Sequence, residues 1–71
     1  MRLAKARVHF IGIGGIGMCG LAELLHNLGA QVTGSDPSEN VQTQRLQQMG
    51  VKVFNQHAPE NLGDCDVVVY S

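Results

Sequence analysis

The sequence predicts an α/β fold, an open parallel sheet of four strands in a three-layer arrangement with helical segments. Two observations carry this. Short apolar runs rich in Val, Ile and Phe alternate along the 71 residues with stretches of helical periodicity. Alternation of this kind produces parallel strands joined by right-handed crossovers. In addition, the first apolar run passes straight into Gly12-Ile13-Gly14-Gly15-Ile16-Gly17, a glycine-rich turn that opens a helix.

Met1 to Ala6 reads as a polar lead-in. The first strand is expected over Arg7–Ile13, where Val8, Phe10, Ile11 and Ile13 are nearly continuous in apolar character, as in a strand covered on both faces. His9 interrupts that run and reads as a core or strand-end histidine bonded to backbone. The first helix is expected over Met18–Leu28. Met18, Leu21, Ala22, Leu25 and Leu28 form its apolar stripe, Glu23 and His26 face water, and Gly29 caps its end. The second strand, Ala30–Ser35, centres on Val32 and Thr33. Pro37 stops it and biases Asp36 to an extended conformation.

Ser38 or Asn40 then caps a second helix that runs to about Met49 and ends at Gly50. Val41, Leu46 and Met49 make its thin apolar face, and Gln42, Gln44, Gln47 and Gln48 its solvated one. A third strand follows over Val51–Phe54. Asn55 to Gly63 is a loop in which Pro59-Glu60-Asn61-Leu62 suits one helical turn. Asp66 to Tyr70 is the fourth strand.

A chain of this length is one small domain, burying only about 60% of its unfolded surface. Its last residues, Asp66 to Ser71, read as a strand, which points to a piece of a longer protein. A fourth strand at an open edge makes self-association an expectation. The net charge of −1 provides no basic footprint, and Phe10, Phe54 and Tyr70 are too few for a stacking platform, so nucleic acid is not an expected partner. Cys19 and Cys65 form neither a disulfide framework nor a Cys/His metal motif, which fits a reduced, cytoplasmic setting. Arg2, Lys5 and Arg7 before an apolar run ending near Cys19 imitate a lipoprotein signal. The glycines break that run, and Met18 is too large for the residue preceding such a cysteine. No stretch is apolar enough for a membrane span.

Gly12, Gly14 and Gly17 fit G-x-G-x-x-G, the pattern of a Rossmann-like nucleotide-binding turn. Gly12 would turn the chain off the strand, Gly14 would bring bare backbone to a ligand, and Gly17 would let the helix sit close to the strand. The N–H groups of Gly14, Gly15, Ile16, Gly17 and Met18 are the expected contacts to a diphosphate. Asp36 lies 24 residues after Gly12 at the end of the second strand, where an acidic residue either binds a ribose hydroxyl or caps the next helix. Ser35 stands beside it, and Ser71 ends the fourth strand on the same ligand-binding edge. His57 either reaches a ligand from its loop or bonds within that loop. Cys19 is expected to be a small buried residue. No G-x-x-x-x-G-K-[ST] loop, nucleophilic triad or carboxylate pair is present, so the chain reads as a binding module without a catalytic centre.

His9-Phe10-Ile11-Gly12-Ile13-Gly14-Gly15-Ile16-Gly17-Met18, then Gly20, Gly34-Ser35-Asp36 and Thr43-Gln44-Arg45-Leu46, resemble the N-terminal domain of the Mur ligase family. The doubled Gly14-Gly15 points within that family to the ligases that join L-alanine to UDP-N-acetylmuramate in peptidoglycan synthesis. The relative that adds a recycled peptide ranks second. The resemblance spans essentially all of residues 1–71. It implies a cytoplasmic enzyme that uses ATP and magnesium, bound outside this segment, to activate the muramic carboxylate as an acyl phosphate for attack by the alanine amine. It also implies that residues 1–71 hold the uridine diphosphate end of the substrate. Cys19 departs from the serine expected there. The readings from other classes are an NAD(P)-binding domain of a dehydrogenase, on the same glycines and Asp36, and a non-enzymatic nucleotide sensor.

Overall fold

The structure, a computed structural model, describes residues 5–70. Its elements run β1 (Arg7–Ile11), α1 (Ile16–Asn27), β2 (Gln31–Ser35), α2 (Val41–Met49), β3 (Lys52–Phe54), a 3₁₀ turn (Pro59–Leu62) and β4 (Val67–Val69). The four strands form one all-parallel sheet in the order β3-β2-β1-β4. The register places Val8 beside Val32 and Val67, and His9 beside Thr33 and Val68. Side chains alternate along a strand, so these two rows lie on opposite faces.

Both helices cover the Val8 face. Phe10 and Val32 from the sheet pack there with Ala22 of α1 and Leu46 of α2, and Val53, Val67, Val69, Leu25 and Met49 complete the layer. Gly34 is what lets the fully buried Ile13 enter this core, because a Cβ on Gly34 would sit 2.6 Å from the Cβ of Ile13. Across the other face runs the connection from β3 to β4, whose one regular piece is the 3₁₀ turn.

The helix ends follow local chemistry. Asn40 caps α2: its side chain accepts from the Thr43 N–H at 2.9 Å, while Thr43 Oγ1 accepts from the Asn40 N–H at 3.0 Å. This reciprocal pair satisfies two donors that helix geometry leaves open. Gly29 and Gly50, at φ 97° and 102°, close α1 and α2 as expected, in the left-handed region that glycine enters without a Cβ penalty.

Several expectations are corrected. β1 stops at Ile11 rather than Ile13, because Gly12 takes φ 82° and the N–H groups of Gly12 and Ile13 both turn to the Ser35 carbonyl. α1 starts at Ile16, two residues before the expected Met18. Leu21 and Leu28 are exposed, so the buried stripe of α1 narrows to Ala22 with Met18, Cys19 and Leu25 packed beside it. Val41 is 76% exposed, and Thr43 takes its place inside because the capping box turns that position inward. Glu23 does not simply face water but pairs with Arg45 of α2 at 2.9 Å. β4 spans only Val67–Val69.

Candidate functional site

The C-terminal ends of β1 and β2, the glycine turn and the first turn of α1 meet at one edge of the sheet. Within the turn, most donors are already committed. The Gly12 and Ile13 N–H groups donate to the Ser35 carbonyl at 2.8 and 3.1 Å, and the Gly15 N–H donates to the Gly12 carbonyl at 3.0 Å. The Gly14 N–H donates to Asp36 Oδ2 at 2.9 Å. The Cys19 N–H makes the first helical bond, to the Gly15 carbonyl at 2.9 Å. Helix geometry leaves the N–H groups of Ile16, Gly17 and Met18 without an acceptor inside the helix. Gly15, the residue at the helix start, has no side chain to fold over them. Ile16 and Gly17 are exposed. The result is an open helix N-terminus, which attracts an anion through its donors and dipole.

Three sequence expectations change here. Gly14 is glycine because of α2: a Cβ would lie 2.8 Å from Asp36 Oδ2, 2.9 Å from Thr43 Cγ2 and 3.2 Å from Asn40 Nδ2. Its N–H is held by Asp36, which separates Gly14 from Ile16, Gly17 and Met18 as a source of open donors. Gly17 does not serve close helix–strand packing, since a Cβ there would meet nothing within 4 Å. That close approach belongs to Gly34. Gly15 is intermediate, its Cβ position lying 3.3 Å from the Gly12 carbonyl oxygen.

Asp36 uses both carboxylate oxygens on backbone, Oδ2 for Gly14 and Oδ1 for the Ser38 N–H at 2.8 Å. Ser35 is buried and shares a 2.6 Å hydrogen bond with His57 Nδ1. That bond ties the loop to the end of β2, whereas His57 was expected either to reach a ligand or to bond within its own loop. His57 nonetheless remains exposed. His9 is buried and bonds the Thr33 hydroxyl at 2.7 Å through Nδ1, a side-chain partner rather than the expected backbone. Burial first, and the neighbouring His57 second, push the His9 pKa below its ordinary value.

These groups border a pocket of about 310 Å³ lined by His9, Ile11, Ser35, His57 and, from the connection, Ala58, Pro59 and Leu62. Thr33, Ala58, Pro59 and Leu62 were not legible as site residues, because strand register and the path of the connection bring them in. Asn40 and Thr43, the backing of Gly14, were visible only as a helix cap. Ser71 lies outside the described residues. Among the described residues no cluster of His, Cys, Asp and Glu is arranged to hold a metal, and no helix is long and apolar enough to cross a membrane.

The pattern described as Mur ligase family, catalytic domain, matches residues 7–71. The chain belongs to the Mur ligase family. It is 66% identical over 71 residues to UDP-N-acetylmuramate–L-alanine ligase of Bdellovibrio bacteriovorus, covering all of this chain and 16% of that protein. It is 60% identical over 73 aligned residues to the enzyme of the same name from Rhizobium etli, again across 16% of that protein. The chain thus spans about one sixth of the length of these relatives. The crystal structure of UDP-N-acetylmuramate–alanine ligase from Thermotoga maritima superposes with a TM-score of 0.86 at 38% identity, over 90% of this chain and 15% of that one. SirC, a precorrin-2 dehydrogenase, superposes with a TM-score of 0.81 at 19% identity, over 100% of this chain and 36% of that one. At that identity the likeness concerns the fold alone, so it lends the dehydrogenase reading no chemistry.

Proposed function

We propose that residues 1–71 bind the uridine diphosphate end of UDP-N-acetylmuramate in an ATP-dependent ligase that adds L-alanine to it in peptidoglycan synthesis. The observation that carries this reading is the open first turn of α1, whose Ile16, Gly17 and Met18 N–H groups face no internal acceptor at the edge where parallel sheets take ligands. The high identity to proteins named as this ligase supports the choice of nucleotide. The diphosphate sits on those three donors. The pocket beside Ile11 receives a neighbouring part of the ligand, with exposed His57 held by Ser35 at its rim. Gly12 and Gly15 shape the turn without contributing free donors.

ATP and magnesium do not fit the described residues, which carry neither an ATP loop nor a grouped set of metal ligands. Those sites, the L-alanine site and the reacting centre lie outside this chain, in a cytoplasmic enzyme. The chain's own work is binding and orientation: charge-assisted hydrogen bonds fix the diphosphate.

Amide-resolved titration with UDP-N-acetylmuramate and with NAD tests this. Movement of the Ile16, Gly17 and Met18 amides with the UDP-sugar is expected. Movement with NAD alone would replace this reading by the dehydrogenase one.

A further inference from the structure

We infer that Asp36 is a positioning residue, a latch that holds the glycine turn against the cap of α2 and so aims the open donors of α1, rather than a ligand of the nucleoside. The inference rests on the nucleotide reading above and concerns how that site is kept in shape. Both oxygens of the Asp36 carboxylate are engaged by backbone, the Gly14 N–H at 2.9 Å and the Ser38 N–H at 2.8 Å. The first bond crosses from the end of β2 to the turn, and the second reaches back to the approach of α2. Asp36 is itself anchored, since its N–H donates to the Phe54 carbonyl of β3 at 2.9 Å.

The other side of the latch is packing. Gly14 is buried against Asp36, Thr43 and Asn40, so closely that a Cβ would collide with the first two. Asn40 and Thr43 are immobilised by their reciprocal cap. Gly14 is therefore pinned two residues ahead of Ile16, the first open donor. A carboxylate accepting two N–H groups is a charge-assisted clamp, roughly twice as strong as neutral bonds. Without it the turn keeps the Ser35 and Gly12 carbonyl bonds but loses its tie to α2. The donors of Ile16, Gly17 and Met18 then move as a group relative to the rest of the edge.

A ribose ligand and a latch differ in one measurable respect. In the full-length gene product, affinities are measured for UDP and for the analogue lacking both ribose hydroxyls, with wild type, Asp36→Ala and the near-isosteric Asp36→Asn. Asn keeps one acceptor and turns an NH₂ toward the other N–H. Expected is a loss of UDP affinity on the order of ten- to a hundredfold in the Ala variant, the range for losing a hydrogen bond to a charged group. The preference for UDP over the hydroxyl-free analogue stays at its wild-type ratio, because latch and ribose act independently. Exchange of the Gly14 amide, followed with labelled glycine, accelerates in both variants.

If the preference collapses to one in the variants, Asp36 touches the ribose and the latch is overturned. Unchanged UDP affinity in folded variants, or unchanged Gly14 exchange, overturns it as well. A wild-type protein in which UDP leaves the Ile16–Met18 amides unmoved overturns the nucleotide reading and the latch's purpose together, and is distinguishable because Gly14 exchange still responds to Asp36.

Discussion

The face of the sheet beneath α1 and α2 is dry. Val8, Phe10 and Val32 are buried there against Ala22 and Leu46, and the hydroxyl of Thr43, buried on α2, is taken up by the helix cap. The opposite face, built from the alternate residues of the same strands, carries His9, Thr33 and Ser35, each hydrogen-bonded, beneath a connection that includes His57. Four of the five residues of β1 thus serve two purposes. Val8 and Phe10 hold the fold, while His9 and Ile11 border the pocket. Dry packing tolerates loss of volume poorly and pH changes well. A polar layer behaves the other way, since its members are satisfied only in one protonation pattern and one register.

The largest expected difference comes from truncating the dry side. Phe10 is fully buried, so Phe10→Ala removes about 3–5 kcal/mol, the usual cost of deleting a core aromatic. Domains have only about 0.05–0.15 kcal/mol of stability per residue, so this variant is expected to be largely unfolded in urea titrations. A loss below about 1 kcal/mol would show that the helix-covered face is not the stabilising one.

The polar side is expected to respond to acid. The His9 pKa is lowered in the folded state by burial and by His57, so the unfolded chain binds a proton that folded His9 refuses. The His9 contribution is therefore complete above the ordinary histidine value near 6.5 and is lost as pH falls below it. The slope approaches but does not exceed about 1.4 kcal/mol per pH unit for one proton. Urea midpoints compared between pH 7.5 and 5.5, as roughly chosen points either side of that value, are expected to drop in wild type. In His9→Gln the His9 part of that slope disappears. An equal slope in both proteins would assign the acid sensitivity to other groups.

The smallest effect distinguishes glycines that look alike in sequence. Gly17→Ala places a Cβ in open space on α1 and is expected to stabilise the chain by up to about 0.5–1 kcal/mol, as removal of a helical glycine does. The same change lowers UDP affinity if the diphosphate rests on that turn. A destabilised Gly17→Ala would mean that α1 approaches another element there.

Much of this organisation was legible residue by residue. The order of strands and helices, the glycine closures at Gly29 and Gly50 and the candidacy of Asn40 as a cap all follow from patterns a few residues long. The turn at Gly12 was equally plain, as a glycine ending an apolar strand. The expectation of an anion site at the helix start depended only on the glycine-rich run that precedes it. Less legible were the faces: Leu21 and Leu28 satisfy helical periodicity as well as Ala22 does, yet only Ala22 is buried.

Sequence alone therefore determined the parallel α/β class and the glycine turn that ends the first strand, because hydrophobic period, capping and turn chemistry are local properties. The tertiary structure decided which glycine does what and which polar groups meet. Gly14 answers to Asn40 and Thr43, Gly34 to Ile13, Asp36 to Gly14, and His57 to Ser35. Each of these partners is more than 20 positions apart in the chain. Contacts at such separation depend on strand register and helix placement, and no local pattern contains either.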